Sequence, residues 1–480
     1  MKLKLTFLAI ALALASSLVP AQEMKKTDAF VVKPYLQVGR SPSATSLHLL
    51  WHGADVDSDW AVEHRASPDA QWHQAPAPQS SRVAVGKATP RRVYNAALSA
   101  LVPGSSFQYR ILKDGKVVFA ADALAPKSAT QPYRVVVFGD IGAGTPEQKT
   151  IAYRAYVSKP DLVVVPGDIV YEYGLVSEYD KNFFPVYNAD QADASGVPLM
   201  RSIPMVTVPG NHDIDNRNLD KYPDGLAYYF FWDQPLNGPL GVEGGPIVPL
   251  LTATEANRKP FLAAAGDAYP RMANYSFDYG NTHWTVLDSN PYVDWTDKGL
   301  HDWVANDLAA AAGATWRFVT FHHPGFNSAN EHYEQQHMRL LSPILEAGKV
   351  DIVFNGHLHN YQRSFPLTFA PIKKGTLLMG GRDGTSVRGR VVNGKWTLDK
   401  GFDGKTHTQP KGIIYLVTGA GGKELYNVEQ NGDADSWQKF TAKFISNEHS
   451  LTVADVNGKT LTVRQLAADG RELDKFIVTK

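Results

Sequence analysis

From about Lys33 to about Ala125, apolar and polar residues alternate in short runs such as Ser46-Leu-His-Leu-Leu-Trp51, separated by clusters of turn formers. This period of two predicts an all-β sandwich over residues 33–126. After a proline-bearing linker, APKSATQP at 125–132, the period changes. Short, wholly apolar runs now carry the pattern: Arg134-VVVF, Leu162-VVV, Met205-VTV, Trp284-TVL, Arg317-FVTF and Asp351-IVF. Helical segments alternate with them. The stretch from Leu300 to Ala312 sets Leu300, Trp303, Val304 and Leu308 on one face and is expected to stop at Gly313. Buried strands alternating with amphipathic helices predict an α/β domain over 132–480, with two mixed sheets flanked by helices.

The residues that follow the apolar runs are unusual as a set. In order they are Gly139-Asp140, Gly167-Asp168, Gly210-Asn211-His212-Asp213, Asp288, His322-His323 and Gly356-His357-Leu-His359. Each alone reads as turn chemistry. In an α/β sheet, however, the carboxyl ends of the strands converge on one crevice, so these groups are expected to meet. Glycine before a ligand is expected to let the backbone turn sharply without a Cβ clash, and an extended GHLH would point His357 and His359 to one face, where each can reach a different ion. Two carboxylates, an Asn, Tyr171 of GDIVY and three His exceed the needs of one metal and suit a pair about 3.5 to 4 Å apart.

Composition narrows the chemistry. The 480 residues are 44% hydrophobic and 20% charged, as in a globular chain long enough for two domains. Lys plus Arg equals Asp plus Glu at 48 each, so no overall charge asks for nucleic acid or an anionic membrane, and attraction of an anionic substrate must be local. There is no cysteine, which excludes disulfides and thiolate ligation. The first residues, MKLKLTFLAIALALASSLVPAQ, have two lysines, an apolar stretch from Leu5 to Leu14 and small residues up to Ala21. They predict a signal peptide over 1–21, export to a secreted or periplasmic location, and no retained membrane span.

The blocks GDIGAG, GDIVY, GNHD, VTFHHP and GHLHNYQR, in this order, resemble the five motif blocks of the metallophosphoesterases and in particular of the purple acid phosphatases. The wider superfamily has a His two residues after the first Asp. Here that position is Gly142, and Tyr171 appears in the second block instead. Upstream, Leu101-Val-Pro-Gly104 leading into Phe107-Gln-Tyr109, with Trp51 on an earlier strand, is similar to the fibronectin type III pattern. The resemblance implies a first ion held by Asp140, Asp168, Tyr171 and His359, and a second held by Asp168 as bridge with Asn211, His322 and His357. Phenolate favours Fe(III) at the first position, while Zn, Fe(II) or Mn suits the second. It further implies an acid phosphatase that cleaves phosphate monoesters by in-line attack of a metal-held hydroxide, with His212 donating to the phosphoryl group and His332 protonating the leaving alkoxide. The partner is then a small phosphate ester. No organic cofactor is implied.

His323, next to a ligand, is expected behind the ligands rather than on the substrate. Asp288, the remaining histidines and the aromatic run Tyr228 to Trp232 read as packing, although that run lies in a long insertion, 213–275, that could edge the site. The competing readings are a phosphodiesterase or nucleotidase on the same scaffold, an exported binding protein whose β domain does the work, and a protein phosphatase.

Overall fold

In the computed structural model, which describes residues 29–372 and 391–480, the alternating region forms two four-stranded antiparallel sheets. One runs Val32–Gln37, Leu47–Ala54, Arg91–Leu98, Gln79–Val83; the other runs His73–Gln74, Trp60–Arg65, Ser106–Lys113, Lys116–Leu124. Their inner faces share one core that includes Leu49, Trp51, Tyr94, Tyr109 and Ile111. Trp51 lies opposite Tyr94 in the ladder, and the two rings stack at 5.3 Å, a pair worth about 1 kcal/mol beyond the area it buries. The segment expected to be a signal peptide, 1–21, lies outside the described residues, and among the described residues no helix is long and apolar enough to cross a membrane.

The apolar runs of the second region form two mixed sheets. The six-stranded sheet has the order Met205–Thr207, Leu162–Val165, Tyr133–Val137, Ser450–Asn457, Thr460–Ala467, Glu472–Thr479; its first three strands are parallel and the rest antiparallel. The seven-stranded sheet contains four adjacent parallel strands, Thr282–Leu287, Trp316–Phe321, Ile352–Asn355 and Ile414–Thr418. The sheets bury one face against each other through Val135, Val137, Leu162, Trp284, Phe318 and Phe354. Helices cover the outer faces, which explains why these strands read as apolar throughout instead of alternating.

The helix expected from Leu300 spans Lys298–Ala310. It starts earlier because the Asp297 carboxylate accepts from the Leu300 amide at 2.8 Å. It ends in a 3-10 turn over Ala311–Gly313, without the left-handed glycine that the sequence suggested.

The sandwich is pinned to the α/β region by polar contacts as well as apolar ones. Arg91, 1% exposed, grips Asp180 through two bonds of 2.7 and 2.6 Å. Tyr109 donates to the Arg201 carbonyl at 2.9 Å, and Tyr35 donates to that of Phe231 at 2.8 Å.

One buried histidine, near the start of strand Thr282–Leu287 and so away from the carboxyl ends, sets a pH-dependent part of the stability. His283 bonds Asp278 at 2.8 Å through Nδ1 and Asp307 at 3.0 Å through Nε2. Burial alone would lower its pKa, but bonds and charges of the two carboxylates carry it from 6.5 to about 9. A folded-state pKa above the unfolded value adds stability that is complete below about 6.5 and is lost as pH rises through about 9. Urea unfolding at pH 6, 7.5 and 9.5 should therefore show the wild type losing up to about 3 kcal/mol more than His283→Gln across that window. Equal slopes in the two proteins would show that His283 is not charged in the fold.

Candidate metal centre

The carboxyl ends of the parallel strands do converge. Strand Tyr133–Val137 leads to Asp140, Leu162–Val165 to Asp168, Met205–Thr207 to Asn211, Trp316–Phe321 to His322 and Ile352–Asn355 to His357. Asp140, Asp168 and His322 are buried, and one donor atom from each lies within 4.8 Å of the others. Backbone bonds stitch the loops together: Asp140 N donates to Gly167 O at 3.1 Å and Gly356 N to His322 O at 3.1 Å.

The glycines before the ligands do leave no room for a Cβ, as at Gly167, Gly210 and Gly356, but the left-handed turn itself falls mostly on the ligands. The residues that adopt positive φ are Asp140 (61°), Asp168 (50°) and His357 (70°) themselves, together with Gly167 (92°), whereas Gly139, Gly210 and Gly356 do not. A left-handed conformation costs a non-glycine residue about 1 kcal/mol or more, so the packed loops impose it. At Gly210 glycine serves close approach, because a Cβ there would lie 3.0 Å from Asp168 Cα and closer still to its amide and Oδ1. The GHLH segment is likewise not part of a strand, which starts only at Tyr361; His357 is left-handed and its ring packs 4.2 Å from that of His323, while the ring of His359 stacks on Tyr426.

Two groups of donors result. Tyr171 Oη lies 3.2 Å from Asp140 Oδ1 and 3.3 Å from His359 Nε2, and those two atoms are 3.5 Å apart. His322 Nε2 lies 3.1 Å from Asn211 Oδ1 and 3.3 Å from Asp168 Oδ1. Donors that share an ion at about 2.0 to 2.2 Å stand roughly 3 to 3.6 Å from one another, so both groups have the spacing of a coordination shell. The histidines are also oriented for it. His322 Nδ1 faces Pro166 O at 2.8 Å, His359 Nδ1 faces Glu424 O at 2.6 Å, and His357 Nε2 faces Gln335 Oε1 at 2.8 Å. A carbonyl partner fixes the N–H on that nitrogen and leaves a lone pair on the other.

The electrostatics call for cations at the same place. Burial pushes the Asp168 carboxyl up, yet the charges and hydrogen bonds of His322 and His212 bring it well below the ordinary range. Burial would lower His322, but Asp168 and then Asp140 raise it to about 9. Burial, followed by the charges of Asp168 and Asp140, holds the Tyr171 phenol far above 10. That phenol keeps its proton unless a multivalent ion displaces it. The donor set therefore fits a hard, highly charged cation at the Asp140, Tyr171, His359 corner.

Gly142 gives way to Tyr171 for a steric reason. A Cβ at Gly142 would lie 2.7 Å from Val170 Cα and closer to Ile169 O, and Gly142 O accepts from the Tyr171 amide at 3.2 Å. The second loop occupies the space that a side chain at 142 would need.

His212 is partly exposed, with Nδ1 held by Glu172 O at 2.8 Å and Nε2 3.9 Å from Asp168 Oδ2. His332 also reaches the site, its ring centre 4.3 Å from that of His357. His323 turns to Ser289, with Nδ1 to Oγ at 3.0 Å. Asp288 accepts from Tyr292 and Asn290, and Tyr228 to Trp232 are buried. Sequence reasoning missed Gln335, Glu172, Lys423, which packs over the Tyr171 ring at 4.5 Å, and Tyr426, which stacks on His359 at 3.9 Å. No motif or periodicity marks any of the four.

Residues 133–361 match the calcineurin-like phosphoesterase family. Among curated proteins, the chain is 25% identical over 296 residues to purple acid phosphatase 23 of Arabidopsis thaliana, covering 56% of this chain and 57% of that one. It is 24% identical over 364 residues to an Arabidopsis thaliana protein named probable inactive purple acid phosphatase 27, covering 66% of this chain and 54% of that one. The chain thus spans a little over half the length of these relatives. Among solved structures, a purple acid phosphatase from yellow lupin (Lupinus luteus) seeds superposes with a TM-score of 0.62 at 16% identity, over 93% of this chain and 74% of that one.

Proposed function

Starting from a calcineurin-like phosphoesterase domain in residues 133–361, we propose that this protein is an exported phosphatase of the purple acid type, which hydrolyses phosphate monoesters at a pair of metal ions. The observation that carries the reading is the phenol of Tyr171 set among Asp140 and His359 at ligand spacing, behind a Gly142 that admits no side chain.

In this reading Asp140, Tyr171 and His359 hold Fe(III), while Asn211, His322 and His357 hold a divalent ion, Zn, Fe or Mn, and Asp168 serves both. When bound, the ions supply Lewis acidity toward the phosphoryl oxygens and an activated water. The chain's own groups do the rest. His212, with Nδ1 fixed by the Glu172 carbonyl, presents Nε2 to a phosphoryl oxygen as charge develops there. His332, its ring centre 4.3 Å from that of His357, delivers a proton to the departing alkoxide. Export rests on the first 21 residues. None of the seven proposed ligands is missing, which speaks against a decayed, binding-only member.

Metal analysis, a visible spectrum and ester hydrolysis on one purified sample test this together. The expected sample carries iron and a second metal, is violet to pink from charge transfer between phenolate and iron, and prefers monoesters to diesters. Tyr171→Phe, which removes one oxygen and keeps the ring, should lose the colour and bind iron more weakly while retaining part of its activity. A colourless wild type with full iron occupancy, or a variant that keeps its visible band, would exclude Tyr171 as a ligand.

A further inference from the structure

A cavity of about 840 Å³ opens beside the metal-binding loops, and none of the proposed ligands lines it. One wall follows directly from the short helix Asn211–Ile214, whose Asn211 carbonyl accepts from the Asp215 amide at 3.1 Å. This wall carries two cations. Lys221 is exposed, and Arg217 lies 4.7 Å above the Tyr292 ring and 3.8 Å from Asp215. The facing wall, Gly244 to Thr252, is apolar: Val248 and Pro249 line the cavity with Leu250, which is 67% exposed. An exposed leucine beside an open cavity leaves apolar surface for a ligand to cover.

The two walls are locked to each other. Leu219 N donates to Thr252 O at 2.8 Å, Thr252 N donates to Arg217 O at 3.0 Å, and Asp220 accepts from the Thr254 amide at 2.9 Å. The cavity is therefore formed before anything enters it. A strip of accessible side chains joins it to the metal centre. Tyr222, on the cavity wall, stacks on Tyr173 at 4.4 Å; Tyr173 follows Glu172, and the Glu172 carbonyl holds His212.

We propose that this cavity is the subsite for the alcohol part of the substrate, and that the preferred substrates are phosphate monoesters of bulky, partly apolar alcohols that bear a second anionic group. The inference rests on the phosphatase reading above. Hydrolysis adds water across the P–O bond, giving inorganic phosphate and the protonated alcohol, and it is this alcohol that the cavity holds. Its apolar body covers the exposed Leu250 against the buried Val248 and Pro249, while its charge meets Lys221 and Arg217, which outnumber Asp215 among the lining residues. A glycerol-sized alcohol would leave both walls uncovered.

The test uses two esters and one inert ligand on the metal-loaded protein. The esters are 6-sulfonato-2-naphthyl phosphate and glycerol 1-phosphate; the ligand is 6-hydroxy-2-naphthalenesulfonate, the alcohol of the first, titrated by its fluorescence. Lys221→Ala and Leu250→Asp alter exposed side chains, so both variants should fold. The expected result is that each weakens binding of the naphthol sulfonate roughly tenfold and lowers kcat/KM for its ester by a similar factor, mainly through KM, with less than about a twofold change for glycerol phosphate. Equal losses on both esters, or naphthol binding indifferent to both substitutions, would overturn the subsite. A wild type that hydrolyses neither ester but binds the naphthol sulfonate in a Lys221-dependent way would overturn the phosphatase reading and leave the cavity as an anion and ring site.

Discussion

Asp168→Asn should abolish turnover, by 10³-fold or more as an order of magnitude, and should cost the protein both metal ions. Asn keeps the shape of the side chain and can still accept from the His212 amide, which now lies 3.0 Å from Asp168 Oδ1. What it removes is one negative charge, and in the proposed arrangement that charge is shared by two multivalent ions. Every other proposed ligand serves one ion, so replacing it should leave the other partly occupied. The stripped fold should lose some stability as well, because Asp168 Oδ1 lies 3.3 Å from His322 Nε2 and helps raise the pKa of that buried ring to about 9, a pairing that Asn cannot keep. The check is metal content per chain alongside urea unfolding of the stripped proteins. Two ions retained with more than a tenth of the activity would reject the shared carboxylate, and a stripped variant as stable as the stripped wild type would show that the pair with His322 adds nothing to the fold.

The second large effect is expected at a residue with no side chain. Gly142 has no positive φ, so alanine meets no backbone penalty there, and any effect is one of space. Its Cβ would enter the volume of Ile169 O and Val170 Cα, and neither is the movable end of a flexible side chain. The loop from Asp168 to Tyr171 must shift, carrying two proposed ligands with it. Gly142→Ala should therefore lose about 3 kcal/mol or more of stability and most of the iron. Restoring the superfamily's His in Gly142→His with Tyr171→Phe should fare no better, because the obstruction is backbone. Thermal unfolding and iron content measure both variants; an alanine variant within about 1 kcal/mol of wild type and fully loaded would mean that the second loop is free to move.

What the sequence disclosed follows from the kinds of signal it carries. Strand ends were legible because apolar runs buried on both faces stop abruptly where polar chemistry begins, and the order of those stops indicated the convergence of Asp140, Asp168, Asn211 and His322. The backbone at those stops was not legible. Whether the turn falls on Gly139 or on Asp140 depends on what packs around the loop, and no local propensity reports it. Gln335, Lys423 and Tyr426 escaped notice for a related reason: each reaches the site by contacts with residues far from it in sequence, such as His357, Tyr171 and His359, and such contacts leave no period to detect. The helix at Lys298 began early because Asp297 caps it, which was readable; its 3-10 end was not, since Gly313 serves either ending.

The six-stranded sheet carries a consequence for the order of assembly. The strand that leads to Asp140, Tyr133–Val137, is flanked on one side by Leu162–Val165 and on the other by Ser450–Asn457. Its second neighbour belongs to the last hairpins of the domain. The first proposed ligand is thus presented by a strand that gains its full set of ladder partners only after nearly the whole domain has been synthesised. Pairings this distant in sequence close late and slowly. In the proposed reading, the place of the first ion would therefore be complete only once this long-range pairing has closed.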